Sequence, residues 1–142
     1  MDINLKKTRE ELINYLYQMD LLGNKELNIE DLETYTIYSH IVLNIEEIDN
    51  IISNNLYNYD ISRLSYVDRA IIRLATYELK FSNTPAAIII NEAINITKKI
   101  SDLDDEKQHK FNNKVLDNIN KSLRGWLCGK SSINRNTTYI SN

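Results

Sequence analysis

The sequence predicts an all-α fold, a helical bundle in which two three-helix halves pack together. Glycine and proline, which interrupt helices and shape β-turns, occur only three times and once in 142 residues. A sandwich or barrel needs many more turn residues than that. Apolar residues also recur at the three- and four-residue spacing of a helix face, most clearly between residues 67 and 100. The length fits one domain with its own core.

The composition argues against several classes of protein. Apolar residues make up 42% and charged residues 26%, as in soluble globular domains. No apolar run approaches the length of a membrane span, and residues 1–12 have the features of neither a signal peptide nor a transit peptide. Cys128 is the only cysteine, which excludes an internal disulfide and a thiolate metal cluster. We therefore expect a cytoplasmic protein with no metal and no cofactor.

Charge is distributed unevenly along the chain. The net charge of −3 argues by itself against a nucleic-acid partner. Residues 26–62, however, contain eight acids and no lysine or arginine, which leaves 12 acids against 17 bases elsewhere, a balance of +5. The sequence thus predicts an acidic side formed by the helices of residues 26–62 and a weakly basic side formed by the rest.

The first predicted helix runs from about Ile3 to Leu22, and Gly23 ends it because glycine tolerates the left-handed conformation after a helix. Its inward stripe comprises Leu5, Leu12, Leu16 and Met19. Lys6, Lys7 and Arg9 occupy the opening turns and can share one side of this helix. From the charges alone, a solvated helix start is as good an interpretation as a binding surface.

Two further helices and a short turn complete the first half. The apolar pattern predicts helices at residues 28–44 and 45–56, divided by the polar Asn44, with Asn28 or Asp31 near the start of the first. The acids at residues 46–49 suit the start of a helix, so we assign them a structural role. Residues 60–64 read as a single turn.

The second half begins with two strongly apolar helices that must pack closely and antiparallel. One covers residues 67–80; the other follows Thr84, predicted as its N-cap, and Pro85 at the first helical position. Charged residues on these helices resemble catalytic groups but are more commonly ion pairs that fix helix order. They are Asp68, Arg69, Arg73, Glu78 and Glu92. Asn91, within an apolar run, is predicted to be buried and hydrogen-bonded.

The last predicted helix starts at Asp102 or Asp104 and ends near Arg124. Lys107, Lys110 and Lys114 lie three and four residues apart, so they share one face. Considered alone, this pattern favours a solvated lysine face. Residues 126–142 lack any period and predict a flexible tail, from which Trp126 could return to pack on the body.

Motifs of common enzyme sites do not occur in the sequence. There is no glycine-rich phosphate loop, and the patterns GxSxG, HExxH and CxxC are missing. The two histidines, His40 and His109, are far apart and have no carboxylate at metal-ligand spacing. We therefore expect a protein that binds rather than catalyses.

Three stretches resemble the NusB family of bacterial transcription antitermination factors. The longest is VDRAIIRLATYELKFSNTPAAIIINEA, residues 67–93. The matching residues are Val67, Asp68, Arg69, Ile71, Arg73, Leu74, Ala75, Tyr77, Glu78, Leu79, Pro85, Ile90, Asn91, Glu92 and Ala93. The other two stretches are LYQMD at 16–20 and HKFNNKVLD at 109–117. Lys114 replaces the glycine that the family prefers, and Lys107 replaces an acid found in many members, so both departures add positive charge.

The resemblance implies a NusB-like bundle that binds single-stranded boxA RNA as a heterodimer with NusE, the transcription form of a small-subunit ribosomal protein. That complex joins elongating RNA polymerase and suppresses termination, chiefly in ribosomal RNA operons. The residues assigned to RNA are Lys6, Lys7, Arg9, Tyr17, Lys107, Lys110, Phe111 and Lys114. Those assigned to the protein partner are Glu78, Lys80 and Phe81.

Two further expectations complete the hypothesis. The first and last helices should lie side by side and gather their cations on one rim. Tyr17 and Phe111 would stack on RNA bases, although both also fit a helix stripe and a core role is as good an interpretation. The alternative function is a homodimeric interaction protein of the same fold with weak or no RNA binding.

Overall fold

A computed structural model describes residues 5–101 and 106–125 of the chain, and these residues form helices and connecting turns. The α-helices are α1 (Leu5–Leu22), α2 (Leu32–Leu43), α3 (Ile45–Asn54), α4 (Tyr66–Phe81), α5 (Ala86–Ile100) and α6 (Lys107–Asn120). A 3-10 turn covers Ile61–Arg63, and a π-helical turn, Lys121–Gly125, follows α6. The predicted all-α bundle is confirmed.

Short polar residues set the helix boundaries. Gly23 ends α1 with a φ of 63°, in the left-handed region. The carboxylate of Asp31 caps α2 by accepting the Thr34 N–H, and the hydroxyl of Ser65 caps α4 by accepting the Asp68 N–H. Asn44 separates α2 from α3, as predicted.

Helix α4 forms the centre of the bundle. It packs on α1 and α3 from the first half of the chain and on α5 and α6 from the second half. All residues from Ala70 to Thr76 are buried, as expected for a helix covered on several sides. Contacts of Arg9 with Glu78 and of Asp20 with Arg69 show that α1 runs antiparallel to α4.

Arginines on α4 pair with acids across the bundle, as the sequence predicted. Arg73 bonds to Asp20 at 3.0 Å and to Asp49 at 2.9 Å, and Arg69 lies 3.4 Å from Asp20. Burial disfavours the charged guanidinium of Arg73, but the bonds to Asp49 and Asp20 outweigh that effect and raise its pKa. These pairs join α1, α3 and α4, so their role is structural.

Two local predictions are wrong, and two others concern residues outside the described ranges. Helix α5 begins one residue later than expected, with Pro85 as its N-cap and no side-chain cap bond, so the capping role assigned to Thr84 is wrong. Asn91 is exposed, not buried. The predicted caps Asp102 and Asp104 lie outside the described residues, as does the predicted tail, residues 126–142.

Over the described part of the chain, no helix combines the length and the apolar character that crossing a membrane requires.

Candidate nucleic-acid interface

The cations of α1 separate into two exposed lysines and one buried arginine. Lys6 and Lys7 are exposed. Arg9 is only 7% exposed and donates two bonds to the carboxylate of Glu78, at 2.8 and 2.7 Å. The hydrogen bond to Glu78 raises the pKa of Arg9. Arg9 therefore does not share the solvated face of the two lysines, contrary to the sequence prediction, because a long-range ion pair draws it inward.

The α6 lysines are all exposed on its first two turns, consistent with the spacing of Lys107, Lys110 and Lys114. Lys110 lies 3.9 Å from the carboxylate of Glu106. An exposed pair of this kind contributes little and is easily broken by a stronger anion. The start of α6 thus presents a positively charged face to solvent.

The prediction that α1 and α6 lie side by side is wrong. Helix α1 packs mainly on α4 and α2, whereas α6 packs on α5, α4 and α3. Arg9 of α1 contacts Glu78 near the end of α4, and Asn112 of α6 contacts Asp68 near its start. These two α4 positions are about 15 Å apart along the helix axis. The two groups of lysines therefore do not form one rim.

An aromatic strip nevertheless connects the two helices. Tyr17 of α1 meets Tyr66 edge-on, with ring centroids 6.4 Å apart, and the guanidinium of Arg69 lies 5.3 Å from the Tyr66 ring. Arg69 also donates to the carbonyls of Ser62 and Leu64. These two residues flank Arg63, the next member of the strip.

The strip continues to α6. The guanidinium of Arg63 lies 5.1 Å from the Tyr59 ring, whose centroid is 5.2 Å from that of Phe111. Tyr66 and Arg63 are exposed, while Tyr59 and Phe111 are half-buried. Sequence reasoning missed Tyr59, Arg63 and Tyr66; the signal was two tyrosines and an arginine close together around the turn that precedes α4.

A buried polar cluster holds the start of α6 in place. The Asp68 carboxylate accepts bonds from the hydroxyls of Ser65 and Ser101, each at 2.7 Å, and from the side-chain amide of Asn112 at 3.2 Å. The same amide donates to the Thr97 hydroxyl at 3.1 Å. Asn112 is fully buried. This Asp68 cluster joins α4, α5 and α6, and thereby fixes where the α6 lysines point.

The predicted partner residues lie at the other end of α4. Glu78 is held by Arg9, and its side chain is only 12% exposed. Lys80 lies 3.3 Å from the Glu47 carboxylate and 5.8 Å from the ring of Phe81, which is 39% exposed. The acidic α3 is therefore adjacent to this end of α4.

A groove of about 500 Å³ opens beside Phe81, between α1, α2 and α4. We name it the α2–α4 groove. Its lining residues are Thr8, Arg9, Leu12, Ile37, Leu74, Tyr77, Glu78, Phe81, Ser82, Asn83 and Thr84. His40 borders it, with its Nδ1 2.8 Å from the Tyr77 hydroxyl and its ring 5.2 Å from that of Phe81. No metal-binding group of three or more acidic, histidine or cysteine residues occurs in the described ranges, 5–101 and 106–125.

Comparison with known proteins identifies the family. A model of the NusB family matches residues 3–121. The transcription antitermination protein NusB of Campylobacter jejuni subsp. doylei is 33% identical over 83% of this chain and 96% of its own length. The protein of that name from Bacillus cereus strain ATCC 10987 is 38% identical, over 83% of this chain and 98% of the relative.

Solved structures agree with the sequence relatives. NusB of T. maritima superposes with a TM-score of 0.70 at 31% identity, covering 85% of this chain and 93% of that one. A chain from a structure described as the crystal structure of a plectonemic RNA supercoil gives a TM-score of 0.70 at 31% identity, covering 82% and 94%. Matching in sequence over most of its length and in fold over the same region, this chain belongs to the NusB family.

Proposed function

We propose that this protein is a transcription antitermination factor that binds boxA-type single-stranded RNA together with NusE and supports RNA polymerase elongation through ribosomal RNA operons. It acts in the cytoplasm by binding alone, without catalysis or a cofactor. The family membership and the names of the relatives support this function. The residues that would carry it are distributed over both ends of α4.

The aromatic strip is the observation that carries the RNA proposal. Single-stranded RNA is bound by cations that neutralise phosphates and by aromatic rings that stack on bases. The strip links Tyr17 to Phe111 through the exposed Tyr66 and Arg63 and the half-buried Tyr59, so a single strand has a path between helices that do not lie side by side. Of the cations assigned to RNA, Lys107, Lys110 and Lys114 lie with Phe111 on α6, whereas Lys6 and Lys7 lie about 15 Å or more along α1 from Tyr17. Arg9 serves this surface indirectly, by anchoring α1 to Glu78.

The protein partner is assigned to the opposite end of α4. Lys80 and Phe81 lie beside the acidic α3, and the exposed acids Glu46 and Glu47 suit a basic ribosomal protein. Glu78 contributes through its pair with Arg9 rather than as a free carboxylate. The α6 lysines and the aromatic strip lie toward the start of α4, away from Lys80 and Phe81, so RNA and protein can bind at once. Lys6 and Lys7, within one turn of Arg9, lie at the partner end.

A titration tests the proposal directly. The protein, with and without NusE, is titrated against boxA RNA and a scrambled RNA at two salt concentrations. We expect tighter binding to boxA, a further gain with NusE, and affinity that falls steeply with salt. Equal affinity for both RNAs under all conditions would contradict sequence recognition.

One observation favours the alternative, a homodimeric interaction protein with little or no RNA binding. The ion pair of Arg9 with Glu78 leaves Lys6 and Lys7 as the exposed cations among the described residues of the first turns of α1. Absence of binding to either RNA, together with a dimeric mass in sedimentation, would support this alternative.

A further inference from the structure

The α2–α4 groove has the size and lining of a binding site for apolar side chains. Its volume of about 500 Å³ lies within the range of sites that hold small ligands. Leu12, Ile37, Leu74 and Phe81 supply apolar walls on three helices. An apolar recess of this kind on a protein surface marks a place where another group docks.

The side chain of Arg124, next to the last described residue, reaches the rim of this groove. Arg124 donates at 2.8 Å to the carbonyl of Thr84 and at 2.8 Å to that of Ser82. Ser82 and Thr84 both line the groove. The residues that follow, Trp126 and Leu127, are large and apolar. An extended chain advances about 3.3–3.6 Å per residue, so a few residues suffice to span the short loop at residues 82–84.

Charge also favours this segment as the occupant. Residues 126–142 contain Lys130 and Arg135 and no aspartate or glutamate. Acids border the groove: Glu33 is one helical turn before Ile37, and Glu47 pairs with Lys80 next to Phe81. Opposite charges therefore meet when the segment approaches.

We propose that the chain turns back after Gly125 and seats Trp126 and Leu127 in the α2–α4 groove, with Lys130 near the acids of α2 and α3. Because the segment is covalently attached, its effective concentration at the groove is far above that of a separate molecule. A second copy of the chain would bring two acidic faces together, and RNA would bring phosphates to carboxylates, so both are disfavoured.

Fluorescence tests the docking, since Trp126 is the only tryptophan in the chain. Groove ligands lose about 70–90% of their surface to the protein, so acrylamide quenching of the full chain should fall about threefold or more below that of free tryptophan. The emission should also shift to the blue. Quenching equal to that of free tryptophan would overturn the proposal.

Substitutions in the α2–α4 groove test whether Trp126 binds there. Phe81→Ala and Ile37→Lys, each checked for unchanged helicity, should return Trp126 to the quenching of the free amino acid. Ile88→Lys is the matched control, because Ile88 is an apolar residue of α5 that is 49% exposed and outside the groove. A blue-shifted emission that persists in both groove variants would place Trp126 elsewhere and contradict the proposal.

A consequence rests on the proposed function: Phe81 belongs to both surfaces, so the docked segment and NusE should compete. Full-length protein with Trp126→Ser and Leu127→Ser should bind NusE about tenfold more tightly, equivalent to 1.4 kcal/mol. Unchanged affinity would overturn the competition. If NusE binds neither form, the partner assignment fails, while the fluorescence result stands on its own.

Discussion

The two ends of α4 are held by opposite kinds of chemistry. At its start, the Asp68 carboxylate accepts bonds from neutral hydroxyl and amide groups in a buried cluster. At its finish, the Arg124 guanidinium donates to four backbone carbonyls, those of Glu78, Leu79, Ser82 and Thr84. An acid at the start and a cation at the finish both complement the helix dipole.

The ends differ in burial, and burial decides what each contact contributes. Asp68 and Asn112 are buried, so neither can exchange a protein partner for water. Arg124 is half-exposed, and the carbonyls after α4 lie on a loop that water can reach. The stability of the start of α4 therefore depends on its particular protein partners, whereas at the finish water can replace the hydrogen bonds that Arg124 makes.

Of the changes considered, removing the Asp68 carboxylate should have the largest effect on stability. Asp68→Ala removes the acceptor of the Ser101 hydroxyl and one of the two acceptors of the Asn112 amide, which keeps its bond to Thr97. Each unmet buried donor costs about 1–3 kcal/mol, so we expect a loss of about 3 kcal/mol in the free energy of unfolding. Urea denaturation measures it. Asp117→Ala, an acid of α6 with a half-exposed side chain, is the control and should change stability by less than about 0.5 kcal/mol. Similar losses in both variants would refute the role of the cluster.

The start of α4 also supports the proposed RNA surface, because the Asp68 cluster positions α6. Changing Lys107, Lys110 and Lys114 to glutamate should lower RNA affinity more than tenfold. If each lysine neutralises one phosphate, the salt slope should fall by about 2, at roughly 0.7 per contact for a single strand. Filter binding over a salt series checks this, with Lys121→Glu, in the turn that follows α6, as the control. An unchanged slope would remove these lysines from the RNA site.

At the finish of α4, Arg124→Met should lower the free energy of unfolding by about 1–2 kcal/mol, less than Asp68→Ala does, because water can replace the lost donors. Denaturation in urea gives the value. Lys121→Met, which removes an exposed cation 3.4 Å from Asp117, should change stability by less than about 0.5 kcal/mol. A loss larger than that of Asp68→Ala would reverse the ranking of the two ends.

Much of the fold could be predicted because its signals are local. Helical spacing, the scarcity of glycine and proline, and the break at Asn44 each depend on neighbouring residues. The exposed α6 lysines were predictable for the same reason, since residues three and four apart share a face.

The errors concern contacts between distant residues. Arg9 was assigned to the exposed cations because its partner, Glu78, is 69 positions away. Asn91 was expected inside because its neighbours are apolar, but the buried amide is Asn112, where the side chains of Asp68 and Thr97 converge. The same limit explains the side-by-side placement of α1 and α6: spacing within a helix does not determine which helices become neighbours.

Asp31, the N-cap of α2, is a solvent-exposed acid and so provides a contrast to the buried Asp68. Of the changes considered, its replacement should have the smallest effect on stability. Asp31 accepts bonds from the Thr34 N–H and hydroxyl, each at 2.9 Å, and these bonds lower the pKa of its carboxyl. A folded-state pKa below the unfolded value means that the stabilisation is present above the unfolded pKa, near 4, and is lost as the pH falls through the folded pKa. Asp31→Asn keeps a capping oxygen that does not titrate. The stability difference between the original protein and this variant, measured by urea denaturation from pH 7 downward, should therefore be constant at neutral pH and shift against the original protein at acid pH. A difference that stays constant through the acid range would show that the solvated carboxylate of Asp31 gains nothing from its charge.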